Sequence, residues 1–172
     1  MDNDIDKSKI KSFLTFQIGN GLYASSVKSI INIEELTKIT KVSLAPDYML
    51  GLINLSGKIL PVIDTRKKFG IKLTNFSISS CILVLEVTAN NESSFVGALV
   101  DGVKEVIEID EREIKNQAFA DQRNPNYLIT GVYKRNDKED IIMILDLNSV
   151  FSSDEIVSMR KYVSERNTEL VQ

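Results

Sequence analysis

The chain has 172 residues, a formal net charge of −3 and no histidine. Its 43% of hydrophobic and 26% of charged residues are typical of a packed domain, so we expect one globular unit or two very small ones. The lack of histidine removes the commonest general base and metal ligand, and the single cysteine, Cys81, excludes an intrachain disulfide. The composition therefore disfavours an enzyme, and we expect no cofactor and no metal.

The N-terminal segment predicts a flexible tail over residues 1–11, because it alternates charges and has no apolar stretch. No segment approaches the ~20 apolar residues that a membrane-spanning helix needs. We therefore expect a cytoplasmic protein with a folded domain over residues 12–152. A C-terminal amphipathic helix and tail are expected over residues 153–172.

Short β-type runs separated by turn residues predict the first strands of the domain. Phe13–Ile18 and Leu22–Ser26 flank the glycine turn at residues 19–21 and predict a hairpin. Val27–Ile33 follows, and its alternation places Ile31 in the core.

A second group of signals lies in the middle of the chain. Pro46 followed by Gly51 predicts a single helical turn that the glycine ends. Leu52–Leu55 and Lys58–Ile63 predict two strands that flank a tight turn at Ser56 and Gly57.

Directly after these strands, Asp64 is placed to cap a short helix over residues 65–69, which Gly70 ends. The only basic cluster of the chain, Arg66-Lys67-Lys68, lies in this helix. Its charges suit the negative end of the helix dipole, and we expect a structural role for them.

The second half predicts further strands and a final helix. The strands are expected at Cys81–Val87, Phe95–Val100, Val103–Ile109, Tyr127–Arg135 and Ile141–Leu145, with Cys81 as a small buried core residue. The longest loop is expected at residues 115–126 and a polar turn at residues 136–140. The spacing Ser152-x-x-Glu155 is a capping box, and apolar residues from Ile156 to Val163 recur at helical spacing.

The two halves of the chain resemble each other. Val27–Ile33 matches Val103–Ile109, and the run from Ile59 to Asp64 matches the run from Ile141 to Asp146. Both matches occur in the same order at nearly the same spacing, which is typical of an internal repeat. Each half carries about five short strands, and closing each set into a small barrel would remove its exposed edges. We therefore expect two small β-barrels with a concave, apolar seam between them.

At this point the sequence resembles the CheW family of chemotaxis coupling proteins. The resemblance runs from about Phe13 to Phe151, and its most specific stretch is Gly51-Leu-Ile-Asn-Leu-Ser-Gly-Lys-Ile-Leu-Pro-Val-Ile-Asp64. This stretch follows the family pattern G-x-[IV]-N-L-R-G-x-[IV]-[IV]-P. The resemblance implies a mainly β fold of two intertwined five-stranded SH3-like β-barrels related by an internal repeat, with short helical turns and a C-terminal helix.

The resemblance also implies a function and partners. Members of the family are non-enzymatic adaptors that join the cytoplasmic tip of a chemoreceptor to the regulatory domain of a chemotaxis histidine kinase. The receptor tip is held in the apolar seam between the barrels. The implied receptor-binding positions of this chain are Leu14, Val27, Ile30, Ile33, Gly51, Ser56, Gly57 and Val103.

The chain departs from the family pattern at two positions. Ser56 replaces the usual arginine of the N-L-R-G motif, and Asn32 replaces a frequent glutamate. Losing both charges together is understandable if the two positions face each other, because a lone, partly buried charge is costly. We expect an Asn32–Ser56 hydrogen bond in place of an ion pair.

Three other functions remain as alternatives at the level of sequence. A CheW-like scaffold of a sensory array that does not control motility has the same sequence signals. A small-barrel nucleic-acid binder would need aromatic residues interleaved with basic ones, and Tyr133-Lys134-Arg135 is the only such run. An enzyme would need buried carboxylates that converge in a cleft, whereas Asp64 and Asp146 are expected only to cap equivalent strand ends.

Overall fold

The structure is a computed structural model, and it describes residues 7–71, 75–116, 128–135 and 139–171, with the side chains of the last helix described up to residue 164. Residues 1–6 of the expected tail, Tyr127, and most of the expected loop and polar turn lie outside the described residues.

The described part of the chain is mainly β, which confirms the predicted fold class. The first half carries β1 (Ile10–Ile18), β2 (Gly21–Ser26), β3 (Ile30–Glu35), β4 (Met49–Leu55) and β5 (Lys58–Asp64), followed by the short helix α1 (Thr65–Lys68). The second half carries β6 (Cys81–Ala89), β7 (Glu92–Val100), β8 (Gly102–Asp110), β9 (Lys115–Asn116), β10 (Ile129–Lys134) and β11 (Ile141–Leu145). The helix α2 (Ser153–Val171) ends the described chain.

The strands form two sheets, and each sheet contains strands from both halves of the chain. The first sheet has the order β8-β1-β2-β11-β10-β9, and the second has the order β3-β6-β7-β5-β4. The hairpin β1–β2 therefore pairs with β8 from the second half, while the hairpin β6–β7 pairs with β3 from the first half. The two halves are intertwined, as the sequence comparison with the CheW pattern implied.

The internal repeat is visible in matching details of the two sheets. In each sheet the second strand of one hairpin pairs in parallel with the second strand of another hairpin, β2 with β11 and β7 with β5. Asp64 and Asp146 both end such a strand and accept a hydrogen bond from the backbone N–H two residues later, 3.0 and 3.1 Å away. The predicted capping role of both aspartates is confirmed.

Gly51 lies inside strand β4, so the prediction that it ends a helical turn was wrong. The turn at Pro46 closes with a hydrogen bond from Met49 N to Pro46 O of 2.9 Å, and β4 begins at once. Gly51 has φ = +151° at a register shift between β4 and β5. A Cβ atom there would lie 2.2 Å from the Thr40 carbonyl oxygen, because the preceding loop crosses the strand at this point.

Two other predictions about burial were wrong. Ile31 is 52% exposed, because the register between β3 and β6 shifts between Ile30 and Asn32 and leaves its side chain outside the core. Cys81, expected to be buried, is half-buried at the start of β6, and burial raises the pKa of its thiol.

Each sheet surrounds its own apolar cluster, and a larger cluster fills the space between the sheets. The first sheet encloses residues such as Phe13 and Ile142, and the second encloses residues such as Val62 and Ile82. The cluster between the sheets includes Phe16 and continues to α2. The interior of the seam is therefore occupied by the protein's own core.

The three basic residues of α1 contact four acidic side chains rather than serving the helix dipole alone: Arg66 contacts Asp64 and Asp101, Lys67 contacts Asp47, and Lys68 contacts Glu155. Arg66 is buried, with its Nη2 3.0 Å from Asp64 Oδ2 and its Nη1 3.6 Å from Asp101 Oδ1. Asp101 also accepts a hydrogen bond of 2.6 Å from Gly19 N. Asp64, Arg66 and Asp101 form what we call the Arg66 ion cluster, which joins the β5 end, the β7–β8 turn and the β1–β2 turn.

The predicted capping box of α2 is confirmed and is reinforced from outside the helix. Ser152 N donates to Glu155 Oε1 and Glu155 N donates to Ser152 Oγ, both at 3.1 Å. Lys68 donates to the second oxygen of Glu155. Burial and the neighbouring Glu155 carboxylate raise the pKa of Tyr48 to about 12.

We expect the attachment of α2 to weaken in acid because of Glu155. Burial alone would raise the pKa of Glu155, but hydrogen bonds from Lys68 and Ser152 outweigh it and hold the pKa below its usual range. The folded-state pKa is depressed, so the stabilisation is present above the ordinary value of about 4.3 and is lost as pH falls through the lowered pKa. The free energy of unfolding, measured by urea denaturation across this pH range, should fall more steeply for the wild type than for Glu155→Gln.

Asp154→Asn is the matched control for this experiment, because Asp154 is an exposed carboxylate in the same helical turn. It should keep the acid-dependent fall of the wild type. An equal loss of the pH dependence in both variants would contradict the role assigned to the Lys68–Glu155 contact.

Candidate partner-binding groove

An apolar groove lies where the edge strand of one sheet meets the edge strand of the other. It is a shallow pocket of about 300 Å³ formed by β1 and β8 of the first sheet, β3 of the second, and the 3-10 turn before β3. We call it the edge groove. Its lining residues are Leu14, Val27, Ile30, Ile31, Asn32, Ile33 and Val106.

Local sequence explains why these side chains meet. Ser26 accepts a hydrogen bond from Lys28 N and caps the 3-10 turn that carries Val27, after which Ile30 starts β3. Leu14 is paired with Val106 across β1 and β8 and forms the buried floor.

The rim of the edge groove exposes large apolar side chains. Ile31, Ile33 and Val106 are 52%, 44% and 58% exposed, respectively. A contiguous exposed apolar patch on a folded protein is typical of an interaction surface. None of the described residues that line this pocket is charged, so a partner would be held there by burial of apolar surface.

The edge groove brings together some of the sequence-predicted site residues and leaves out others. Leu14, Val27, Ile30 and Ile33 line it, as does Asn32. Val103 does not; it lies opposite Phe16 in the β1–β8 pair and packs, half-buried, against the central core.

Val106 takes the place on β8 that was expected for Val103. The sequence contained a signal for it, because Val106 is the repeat mate of Ile30 in the matched segments Val27–Ile33 and Val103–Ile109. Val106 rather than Val103 lines the groove because the register between β1 and β8 shifts between Leu14 and Phe16. The sequence pattern does not reveal this shift.

The three remaining predicted residues lie away from the edge groove. Ser56 and Gly57 form the tight β4–β5 turn with φ of +50° and +86°, which confirms the predicted turn. Gly57 N donates to Asn54 Oδ1 at 3.0 Å. Gly51 packs against the Thr40 backbone and lines neither this groove nor its neighbour.

Ser56 belongs to a second cavity, which we call the helix cleft. This cavity has a volume of about 420 Å³ and lies between β3, the β4–β5 turn, the start of β7 and α2. Ile31 and Asn32 line both cavities, so β3 is their common wall.

Asn32 and Ser56 both line the helix cleft, but the predicted hydrogen bond between them was wrong. Asn32 Nδ2 donates to Glu34, and Asn32 Oδ1 accepts from Ile33 N at 2.9 Å. The amide is used within its own strand, because alternate residues of an exposed edge strand can reach each other.

The structure also bears on the enzyme alternative. Asp64 and Asp101 converge, but they converge on Arg66, and their oxygens accept hydrogen bonds from Arg66 and Gly19. Within the described ranges, no cluster of three or more metal-ligating side chains is present. The carboxylates of Asp64 and Asp101 therefore have structural partners.

Neither described helix is long and apolar enough to cross a membrane.

Comparisons with known proteins agree with the fold. A family model described as the CheW-like domain matches residues 12–155. The chain is 28% identical over 145 residues to the chemotaxis protein CheW of Rhizobium meliloti, covering 84% of this chain and 90% of that protein. It is 29% identical over 147 residues to the CheW of Klebsiella aerogenes, covering 85% and 84%.

A solved structure shows the same architecture. The scaffolding protein TtCheW from Thermoanaerobacter tengcongensis superposes with a TM-score of 0.72 at 30% sequence identity. The match covers 86% of this chain and 92% of that one.

Proposed function

This chain belongs to the CheW family of chemotaxis coupling adaptors, and on that premise we propose that it joins the cytoplasmic tip of a chemoreceptor to the regulatory domain of a chemotaxis histidine kinase. In this proposal the protein acts in the cytoplasm at the receptor array and catalyses no reaction. The observation that carries the proposal is the edge groove, whose exposed rim of Ile31, Ile33 and Val106 lies between the two sheets.

The shape and chemistry of the edge groove favour a helical partner. An amphipathic helix buries a stripe of apolar residues about one turn apart, and a shallow apolar groove between two edges accepts such a stripe. The buried floor residue Leu14 belongs to the central core, so the groove is preformed and a partner would not have to order it.

The kinase contact falls, in this proposal, on surfaces away from the edge groove. An adaptor that binds both partners at once needs a separate site for each. The affinity of each single contact can be low, because an array forms many such contacts at the same time. The far edge strands of the two sheets, β4 and β9, are our candidates for that role, with the edge of β4 already paired at Leu52 by Thr40.

The test is a binding measurement with a purified receptor-tip fragment and the full-length chain. We expect Val106→Glu to weaken binding by about 100-fold or more, because complex formation would bury an unpaired carboxylate in an apolar contact at a cost of several kcal/mol. Val106 is 58% exposed in the free protein, so the variant should still fold.

Ile141→Glu is the matched control, because Ile141 is 60% exposed on β11 and lines neither cavity. It should bind the receptor tip like the wild type, and both variants should keep their affinity for the kinase regulatory domain. Failure of the wild type to bind a receptor tip, or normal binding by Val106→Glu, would refute the proposal.

A further inference from the structure

Leu44 has a backbone conformation that is unfavourable for its own side chain. It lies between β3 and β4, in residues 36–48, which we call the Leu44 loop. Its φ is +62°, in the left-handed region that glycine and asparagine tolerate and that a bulky side chain disfavours. The other described residues with positive φ, glycines aside, are Ser56, Asn90 and Asn91, which are small or polar residues of tight hairpin turns.

Burial within the fold does not compensate for this strain. The side chain of Leu44 is 98% exposed, so it contributes almost nothing to the core. Strained backbone conformations persist where the surrounding structure holds them, and they concentrate at functional sites. A strained leucine that is also fully exposed therefore indicates a contact with another molecule.

The loop holds Leu44 in place from both sides. The Tyr162 hydroxyl, on α2, donates to Leu44 O at 3.1 Å. Val42 and Ala45 are partly buried and pack against the central core. Because these contacts already fix the loop in the free protein, a partner that binds Leu44 would not have to order it.

The charges of the Leu44 loop are unbalanced. Asp47 is paired with Lys67 at 2.9 Å, whereas Lys38 and Lys41 are exposed and form no ion pair with any described residue. The loop therefore carries two positive charges that are not compensated, in a chain whose net charge is −3. A partner surface that is complementary to it would be apolar at the centre and acidic at the rim.

The position of the loop keeps it apart from the receptor site. Leu44 lines neither the edge groove nor the helix cleft. Thr40, in the same loop, is joined to Leu52 across the edge of β4 by two hydrogen bonds of 2.8 Å. A partner that approaches this edge of the second sheet therefore meets the Leu44 loop, and the edge groove stays open for a second partner.

We propose that Leu44 is the apolar anchor of the kinase contact and that it enters an apolar pocket of the kinase regulatory domain. In this contact, carboxylates at the rim of the pocket face Lys38 and Lys41. The inference rests on the proposed function and deepens it, because it names residues that face the kinase. A rigidly presented apolar side chain that becomes buried in a complex can carry much of the binding free energy.

Leu44→Asn tests the anchor with two readouts that should move in opposite directions. The affinity of the full-length chain for the purified kinase regulatory domain should fall by about 10-fold or more, since the buried apolar side chain is lost. The midpoint of urea denaturation should rise by roughly 0.5 M, because asparagine tolerates positive φ. Isothermal titration calorimetry and circular dichroism measure the two changes. A leucine with only a structural role would not weaken binding while its replacement stabilises the fold.

Lys41→Glu tests the charge complementarity. It should weaken kinase binding by about 3–10-fold, chiefly through slower association that depends less steeply on salt concentration. Ile141→Asn is the matched control, because Ile141 is a 60% exposed apolar residue on β11 without positive φ. It should bind the kinase domain like the wild type, and all three variants should keep their affinity for the receptor-tip fragment.

The outcomes separate this inference from the proposed function. Normal kinase binding by Leu44→Asn, with a wild type that binds both partners, would overturn the inference and leave the proposed function intact. Loss of receptor binding, or of self-association of the wild type, with the kinase affinity unchanged would also overturn it by assigning Leu44 to a different contact. Absence of kinase binding by the wild type would remove the inference together with the kinase half of the proposed function.

Discussion

Replacing Arg66 with methionine is expected to lower the free energy of unfolding by about 3–5 kcal/mol, because it leaves the buried Asp64 carboxylate without a counter-charge. Asp64 is 1% exposed and Arg66 is 3% exposed, so water cannot replace the lost partner. Asp101 would lose its contact with Arg66 as well, although it keeps the hydrogen bond from Gly19 N. Urea denaturation monitored by circular dichroism measures the change.

Two further variants show whether the loss comes from the uncompensated charge. Asp64→Asn combined with Arg66→Met should recover at least half of the lost free energy, because asparagine still caps α1 and carries no charge. Lys67→Met is the surface control: Lys67 pairs with the exposed Asp47 at 2.9 Å, and such pairs contribute about 0–1 kcal/mol. A cost below 1 kcal/mol for Arg66→Met would contradict the assignment.

The Arg66 ion cluster matters for function because of what it connects. Asp101 lies in the turn where the chain leaves β7 of the second sheet and enters β8 of the first, and Gly19 lies in the β1–β2 turn. The edge groove is built from β1 and β8 on one side and β3 on the other. An ion cluster that fixes β1 and β8 relative to the second sheet therefore also fixes the spacing of the groove walls.

The features that sequence predicted correctly are those set by neighbouring residues. The alternation of Phe13–Ile18, the turn at Ser56-Gly57 and the capping box from Ser152 to Glu155 depend on side chains within a few positions of one another. The exchange of strands between the sheets was implied only by the family resemblance, since it depends on pairing distant segments, whereas the internal repeat alone predicted one barrel from each half.

The predictions that failed concern positions where strand register, or contact with a distant part of the chain, determines where a side chain lies. Ile31 alternates correctly for a buried residue, but the shift between β3 and β6 exposes it. Val103 stays a predicted receptor-binding residue, but the register shift opposite β1 places Val106 rather than Val103 in the edge groove. Arg66 finds Asp101 only because the folded chain brings β7 to α1. No local pattern encodes such contacts.

Gly51 is the position where a single methyl group should be most disruptive. Gly51→Ala is expected to lower the free energy of unfolding by about 3 kcal/mol or more, since φ = +151° is unfavourable for alanine and a Cβ atom would meet the Thr40 carbonyl oxygen at 2.2 Å. The obstacle is backbone, which cannot rotate away. Moving it would break the two hydrogen bonds of 2.8 Å that join Thr40 to Leu52.

The repeat supplies a matched comparison within the same chain. At Gly131, the repeat mate of Gly51, a Cβ atom would meet Ile114 Cγ2 at 2.5 Å and the Lys115 carbonyl oxygen at 3.1 Å. Because a side chain can rotate, Gly131→Ala should cost only about 1–2 kcal/mol. Gly57→Ala isolates the cost of the backbone conformation, because φ is +86° and an added Cβ atom would have no described atom beyond its chain neighbours within 4 Å. We expect this variant to lower the free energy of unfolding by about 1 kcal/mol. Denaturation should therefore rank Gly51→Ala as the most costly, and a value for it close to that of Gly57→Ala would show that the Thr40 backbone yields and that the bridge to Leu52 does not hold the strand.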